Sequence, residues 1–341
     1  MPENEQEMSL PLQSRTLPSW TLLGAILLAF GAGVGIAGLF FSQAPDRDIN
    51  PDCIAHYPLI RPDLDCHSAD EDYLRVQQIQ ESVRMYIEEE KAAGKITRAS
   101  VFFRDLNSRR FAKINPQEKY ISGSLLKLPL AIAYYKLAEI DPAILHQEFQ
   151  YQPEAESLNA METWKPAETL IPGKIYTAEE MIVHMIRYSD NETAVQLEHN
   201  IDPQFFKKVL ADLGIILPET GGNTTDFLSV ESYASMLRVL YLSSYLNIDH
   251  TQALLGHMSH STFDVGLKAH IPTETVVAHK FGEREIIDDA TGKELSAQLH
   301  DCGIIYKTGH PYVLCVMTEG KSHDALPSVI AEISRMVFEL E

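Results

Sequence analysis

The sequence predicts an α+β domain in three layers: an antiparallel sheet flanked by N- and C-terminal helices, plus an all-helical subdomain, behind one N-terminal transmembrane helix. Three observations predict it. An apolar run without a charged residue occupies residues 20–41. After it, a helix and two strands are followed by a helical block, then by three strands and a helix, an order in which both chain ends build one antiparallel sheet with helices on each side. Finally, 341 residues at 45% hydrophobic can bury a core that needs no disulfide staples. The predicted divisions are a tail over 1–19, the span over 20–41, a linker over 42–69 and the folded domain over 70–341.

Charge and composition narrow the function classes. With 48 Asp and Glu against 28 Lys and Arg, the net charge is −20. A polyanion would be repelled over most of the surface, so nucleic acid is not expected as a partner. The four cysteines fit neither a disulfide-dense scaffold nor a CxxC zinc framework. The 13 histidines include no HExxH and no paired ligand spacing, so neither a metal nor another cofactor is expected.

The run bounded by Trp20 and Phe41 spans about 33 Å of hydrocarbon at ~1.5 Å per residue. A cleaved signal peptide is the competing reading, because Ser42 and Ala44 are small residues at processing spacing. Glu3, Glu5 and Glu7 ahead of the run, its length, and Pro45 just beyond it favour an uncleaved anchor. Arg15 and Arg47 barely decide its orientation. Gly31 and Gly35 form a GxxxG, but glycine is common in such spans and no helix pairing is inferred. Cys53 and Cys66, in the Pro- and Asp-rich linker, are expected to pair if that side of the membrane is oxidising.

In the folded domain, Tyr73, Leu74, Val76, Ile79, Val83, Tyr86 and Ile87 have helical spacing over 70–93. Residues 96–103 and 110–114 read as a hairpin around Asp105, Asn107 and Ser108. Residues 124–139, apolar apart from their lysines, read as a buried helix with Ser122 as N-cap. Residues 147–174 carry Pro153, Trp164, Pro166 and Pro172 without periodicity, an extended loop able to wall a cleft. Thr177 and Glu180 make a capping box before a helix over 181–187, which stops in a loop at 188–191. Two more helices are expected over 203–213 and 230–243, strands over 275–280, 302–306 and 312–318, and a closing helix over 326–340. A hairpin turning at Thr308 and Gly309 sets Cys302 opposite Cys315, as two packed thiols or a cross-strand bond.

Three motifs carry chemistry. Ser124-Leu125-Leu126-Lys127 sets a hydroxyl and an amine three residues apart, on one helix face, where an unprotonated lysine can take the serine proton. The helix start supplies free N–H groups and a positive dipole end, and apolar neighbours should depress the lysine pKa, as a base requires. Ser189-Asp190-Asn191 sits at a helix end, where the second serine can relay a proton to a leaving nitrogen and the Asn amide can hold a carbonyl. Lys280 lies in the apolar strand Val276-Val277-Ala278-His279-Lys280-Phe281-Gly282, where it demands a polar partner, while Gly282 admits close backbone approach. Lys307-Thr308-Gly309 is a literal Lys-Thr-Gly, but it falls at a hairpin tip, and Lys280 is preferred because a catalytic cation must face the nucleophile from within the sheet. His279 and His300 read as hydrogen-bonded sheet residues.

Taken in order, these motifs resemble those of the class A β-lactamase-like serine hydrolases, in the superfamily of β-lactamases and penicillin-binding proteins. The resemblance runs from Asp70 to the C-terminus. It implies a β-lactamase/transpeptidase-like fold with Ser124 as acylated nucleophile, Lys127 as its base, Ser189 as proton shuttle and Lys280 as electrostatic partner. Asn191 would position both substrate and lysine, and the backbone N–H groups of Ser124 and Glu283 would form the oxyanion hole. His300 and Asp301 would support Lys280. Two departures stand out. Phe281 replaces the hydroxyl residue that grips a substrate carboxylate, with Arg284 as the candidate substitute. The Glu-x-x-Leu-Asn loop that activates the deacylating water is missing: between Gly214 and Ser229 the acidic residues are Glu219 and Asp226, and the similar Glu156-Ser157-Leu158-Asn159 is one residue short and precedes Ser189.

The expected function is a membrane-anchored serine hydrolase acting through an acyl-enzyme on β-lactam-type amides, its catalytic domain extracytoplasmic. One alternative is a D-alanyl-D-alanine carboxypeptidase or transpeptidase; another is an inactive module that binds wall fragments or β-lactams. The expected partners are a small-molecule β-lactam or peptidoglycan peptide, and the membrane through residues 20–41.

Overall fold

Helix α1, Ala69–Ala92, is the first element of the computed structural model, which describes residues 69–341 apart from 109, 155–156, 220–224 and 288–293. The span over 20–41 and the expected Cys53–Cys66 bond lie outside the described residues. Among the described residues no helix is long and apolar enough to cross a membrane.

Strands β1, Arg98–Asp105, and β2, Phe111–Ile114, form the expected hairpin, with the Asn107 N–H donating to the Asp105 carboxylate in the turn. A one-turn 3-10 helix, Gly123–Leu126, leads into α2, Lys127–Ala138. Ser122 does not cap it: this residue is itself helical in conformation and its hydroxyl is buried without a partner. A short ribbon pairs β3, Glu148–Gln150, with β4, Ile175–Thr177. The capping box of Thr177 and Glu180 closes as expected over α3, Ala178–Arg187.

Two helices were not legible in the sequence. Helix α4, Asn191–His199, begins within the stretch expected to be loop, because Asp190 serves as its N-cap. Helix α5, Pro203–Asp212, and α6, Val230–Tyr241, follow close to expectation. Helix α7, Ile248–Ser259, is the second omission; its N-cap Asn247 accepts the His250 N–H.

Three long strands follow: β5, Val277–Ile287, β6, Glu294–Ile305, and β7, Tyr312–Gly320. The first two outrun the expected strands, because the polar residues after Phe281 and before Cys302 hide the extended pattern. The sheet order is β2-β1-β7-β6-β5, with every pairing antiparallel. Both chain ends therefore build one sheet, β7 pairing with β1. Helix α8, Leu326–Leu340, closes the chain.

Period-two alternation sends neighbouring sheet residues into two separate cores. Phe103, Leu314 and Val316 pack with Ile79, Val83 and Ile87 of α1 and with Val329 and Ile333 of α8. Phe102, Val313, Cys315 and Met317 join Leu128 and Ile132 of α2 and Tyr233 and Leu237 of α6. Cys302 and Cys315 stand opposite each other in register and form a cross-strand disulfide, which decides between the two states the sequence allowed.

Candidate active site

Ser124 is half-buried in the 3-10 turn beside edge strand β5. Two glycines make that proximity possible. Gly123 has φ +49°, and a Cβ there would lie 2.5 Å from the carbonyl oxygen of Glu283. A Cβ on Gly282 would lie 2.8 Å from the Ser122 oxygen and 2.9 Å from the Leu125 nitrogen. Backbone thus meets backbone, bringing the main chain of Glu283 up to the residue before Ser124. The turn is fixed from three further sides: Tyr233 Oη donates to the Leu125 carbonyl at 3.1 Å, His300 Nε2 to the Ile121 carbonyl at 2.9 Å, and the Ile121 N–H to Gln298 Oε1 at 2.9 Å.

Lys127 opens α2, a helix surrounded by protein along nearly its whole length, so the amine is buried with it. Its Nζ donates to the Ser189 carbonyl, to Ser189 Oγ at 3.2 Å and to Asn191 Oδ1 at 2.5 Å. Burial pulls its pKa down to about 8, against the opposing pull of Glu162, Asp190 and Glu283. The amine's hydrogen bonds go to the Ser189–Asn191 turn rather than to the Ser124 hydroxyl that the motif spacing suggested.

Lys280, fully buried in β5, donates to Ser189 Oγ at 2.8 Å and to the Phe281 carbonyl at 2.8 Å. Its Nζ also lies 4.3 Å from the centre of the Phe281 ring. Burial first, then the neighbouring Lys127, drives its pKa well below the usual lysine range. Phe281 in turn stacks on Phe263, ring centres 4.0 Å apart.

The Ser189–Asn191 turn holds these amines by a division of labour. Ser189 adopts φ +59°, a left-handed conformation uncommon outside glycine. Asp190, fully buried, accepts the N–H groups of Glu192 and Thr193 as cap of α4, and also Asn159 Nδ2 at 2.9 Å. Asn159 Oδ1 accepts the Asn191 N–H at 2.8 Å. The structure thus brings together Lys127, Ser189, Asn191 and Lys280, with the Ser124 turn against Gly282 and Glu283. Arg284 is exposed further along β5. Lys307 lies at the other hairpin, donating to the Phe338 carbonyl at 2.7 Å. His279 Nδ1 pairs with Asp301 at 2.8 Å, and Asp301 also accepts the Leu267 N–H.

Sequence reasoning read residues 147–174 as a loop able to wall a cleft but missed the roles of Asn159 and Glu162 within it. Glu162 accepts Asn191 Nδ2 at 2.6 Å. Glu283 accepts the N–H groups of Thr163 at 3.2 Å and Trp164 at 2.9 Å. Burial, followed by proximity to Glu162, raises the Glu283 pKa to about 7 although the backbone donors oppose it. No periodic signal marked Glu162; the Pro- and Trp-bearing loop was readable as a cleft wall but not residue by residue. Of the acidic residues after Gly214, Asp226 is held by Arg98 at 2.6 Å and by Gln298 at 3.1 Å, and Glu219 is exposed.

Chemically, the arrangement offers a hydroxyl at a helix start, two desolvated amines sharing a second hydroxyl, and an amide bound to one of them. Such a set can move a proton between a nucleophile and a leaving group.

The family described as "Beta-lactamase enzyme family" matches residues 76–340. No curated protein matches the chain. Among solved structures, an extended-spectrum β-lactamase, TLA-3, aligns with TM-score 0.66 at 20% identity, covering 77% of this chain and 98% of its own. A β-lactamase from Xanthomonas campestris pv. campestris aligns with TM-score 0.63 at 20% identity, covering 77% and 98%. A mutant of PBP-A, solved as an acyl-enzyme complex with penicillin G, aligns with TM-score 0.61 at 19% identity, covering 77% and 96%. These likenesses show the fold.

Proposed function

Because the chain belongs to the beta-lactamase enzyme family, we propose that it is a serine hydrolase that cleaves β-lactam-type amides through an acyl-enzyme on Ser124. The observation that carries this reading is the convergence of Lys127 and Lys280 on the Ser189 hydroxyl, next to the turn that bears Ser124. With Lys127 neutral, its amine gives up one of its three hydrogen bonds to the Ser189–Asn191 turn and turns the freed lone pair to the Ser124 proton, which it takes as Oγ bonds to the substrate carbonyl carbon. The oxyanion faces the N–H groups of Ser124 and Glu283. As the C–N bond breaks, the proton passes from Lys127 through the Ser189 hydroxyl to the leaving nitrogen, while Lys280 stabilises the hydroxyl's negative end. Asn191 holds Lys127 and the substrate carbonyl.

A D-alanyl-D-alanine carboxypeptidase or transpeptidase is the second reading. Its support is specific: after Gly214, Asp226 is committed to Arg98 and Gln298, and Glu219 is exposed, so that segment offers no carboxylate to activate a deacylating water. A time course of intact mass with a reporter penicillin separates the readings. An adduct that forms and decays supports the β-lactamase reading; one that forms and persists supports the peptidase. Ligand binding without any adduct would return the cleft to a non-catalytic wall-fragment binder.

We further propose that the catalytic domain lies on the extracytoplasmic side of the membrane, tethered by residues 20–41. The uncharged run supports the tether, and the Cys302–Cys315 disulfide supports an oxidising compartment. Recovery of the chain from the soluble fraction after lysis would contradict the tether.

A further inference from the structure

Glu162 is fixed from both sides. Before it, buried Asn159 donates to Asp190 Oδ1 at 2.9 Å and accepts the Asn191 N–H at 2.8 Å. Just after it, the N–H groups of Thr163 and Trp164 donate to Glu283 Oε2 at 3.2 Å and Oε1 at 2.9 Å, so both carboxylate oxygens hold the backbone. The Trp164 ring then packs edge-on against Phe263 and His323, ring centres 5.5 and 5.2 Å away. Residues 159–164 therefore tie the Ser189–Asn191 turn to strand β5, and the half-buried Glu162 side chain stands between the two anchors.

Glu162 Oε1 accepts Asn191 Nδ2 at 2.6 Å, while Asn191 Oδ1 takes Lys127 Nζ at 2.5 Å. An amide nitrogen carries two hydrogens. One goes to Glu162; the other is the one a substrate carbonyl takes. In an acyl-enzyme this is a carbonyl of the acyl side chain, because the attacked carbonyl faces the N–H groups of Ser124 and Glu283. Two acceptors on one nitrogen stand about 5 Å apart, which leaves room for an ammonium group between them. When Lys127 is neutral, as the attack requires, no charge across Asn191 offsets the Glu162 carboxylate. Lys280 is turned to Ser189 Oγ and the Phe281 carbonyl, and the Glu283 carboxylate lies on the opposite wall. The cleft thus offers an anion no partner beside Asn191 and a cation one.

We infer that Glu162 sets the substrate class of this cleft: acyl donors that carry an ammonium group on the carbon next to the side-chain carbonyl held by Asn191. The inference rests on the acyl-enzyme reading. Glu162 meets the acyl side chain and not the bond that breaks, so it acts on discrimination between substrates.

Benzylpenicillin, ampicillin and carbenicillin differ at that carbon alone, which bears hydrogen, an amine or a carboxylate. At about pH 7, below the α-amino range of about 7.7–8.0, the amine of ampicillin is mainly protonated. In the full chain, ampicillin is expected to acylate about ten-fold faster than benzylpenicillin and carbenicillin about ten-fold slower, the worth of one hydrogen bond between charged groups. Glu162→Gln keeps an acceptor for Asn191 and removes the charge, so the span should shrink to within about three-fold. Glu162→Lys should reverse the order. Equal rates for the three in the parent chain, or a span that survives in Glu162→Gln, overturns the inference. The parent series decides alone should the variants fail to fold. If no penicillin forms an adduct, the acyl-enzyme reading fails, and calorimetric binding of the same compounds decides for Glu162. The same order, lost in Glu162→Gln, keeps it as the selector of an ammonium ligand; binding without that order, or none, overturns it.

Discussion

Nζ of Lys280 lies 2.8 Å from Oγ of Ser189, the same oxygen that Lys127 reaches at 3.2 Å. One hydroxyl thus mediates between two buried amines from different elements, one on α2 and the other on β5. Neither lysine can hold a full charge there without cost: burial lowers both, and Lys127 pushes Lys280 further toward the neutral form.

Replacing that hydroxyl should separate chemistry from folding. Ser189→Ala is expected to slow acylation by about 10²–10⁴-fold, the usual worth of a positioned proton carrier. Stopped-flow reaction with a chromogenic penicillin measures it.

The acylation rate should rise with pH as Lys127 loses its proton, levelling above about pH 8. The sign is that of a base that works unprotonated. Lys127→Arg, charged throughout the accessible range, should abolish the reaction at every pH. A rate that falls between pH 7 and 9 would contradict the assignment.

Lys280→Met is expected to raise the melting temperature at neutral pH while acylation drops. The amine is fully buried and its charged form is disfavoured by desolvation and by Lys127, so an apolar side chain of similar length removes a cost. Thermal melts paired with acylation rates test both halves.

The antiparallel sheet with helices on each side was legible because strand and helix signals are local and periodic, whereas the strand order and the division into two cores depend on non-local pairing of β7 with β1. Ile79, Val83 and Ile87 show helical spacing, and the alternation across Phe102 and Phe103 is set by the pleat. The three motifs were legible as pairs of residue types at fixed spacing. What stayed hidden was relational. Glu162 owes its place to Asn191, and Glu283 owes its partners to the backbone of Thr163 and Trp164. Backbone N–H groups leave no trace in a sequence. Helix α4 was missed for a different reason: Asp190 favours turns and N-caps alike, and the turn reading concealed the cap.

Gly282→Ala should cost about 1–3 kcal/mol, because its Cβ would strike the backbone of the Ser124 turn. Acylation should fall with it. Gly309→Ala is the contrast: φ is +79° but nothing lies within reach of a Cβ, so about 1 kcal/mol is lost with acylation unchanged. Denaturant midpoints and acylation rates for both variants distinguish a site effect from a general one.

Reducing the Cys302–Cys315 bond should lower stability by about 3 kcal/mol, the value expected for closing a loop of this size. Melting with and without reductant reads the shift. An unchanged midpoint would mean that the pair is not bonded in solution.

The central claim is that Ser124 is the residue acylated. Tandem mass spectrometry of the adduct formed with a reporter penicillin, after proteolysis, tests it most directly. The acyl group is expected on Ser124 and on no other residue, and Ser124→Ala should carry none. An acyl group found on Ser189 or elsewhere, or labelling that survives in Ser124→Ala, would contradict the account.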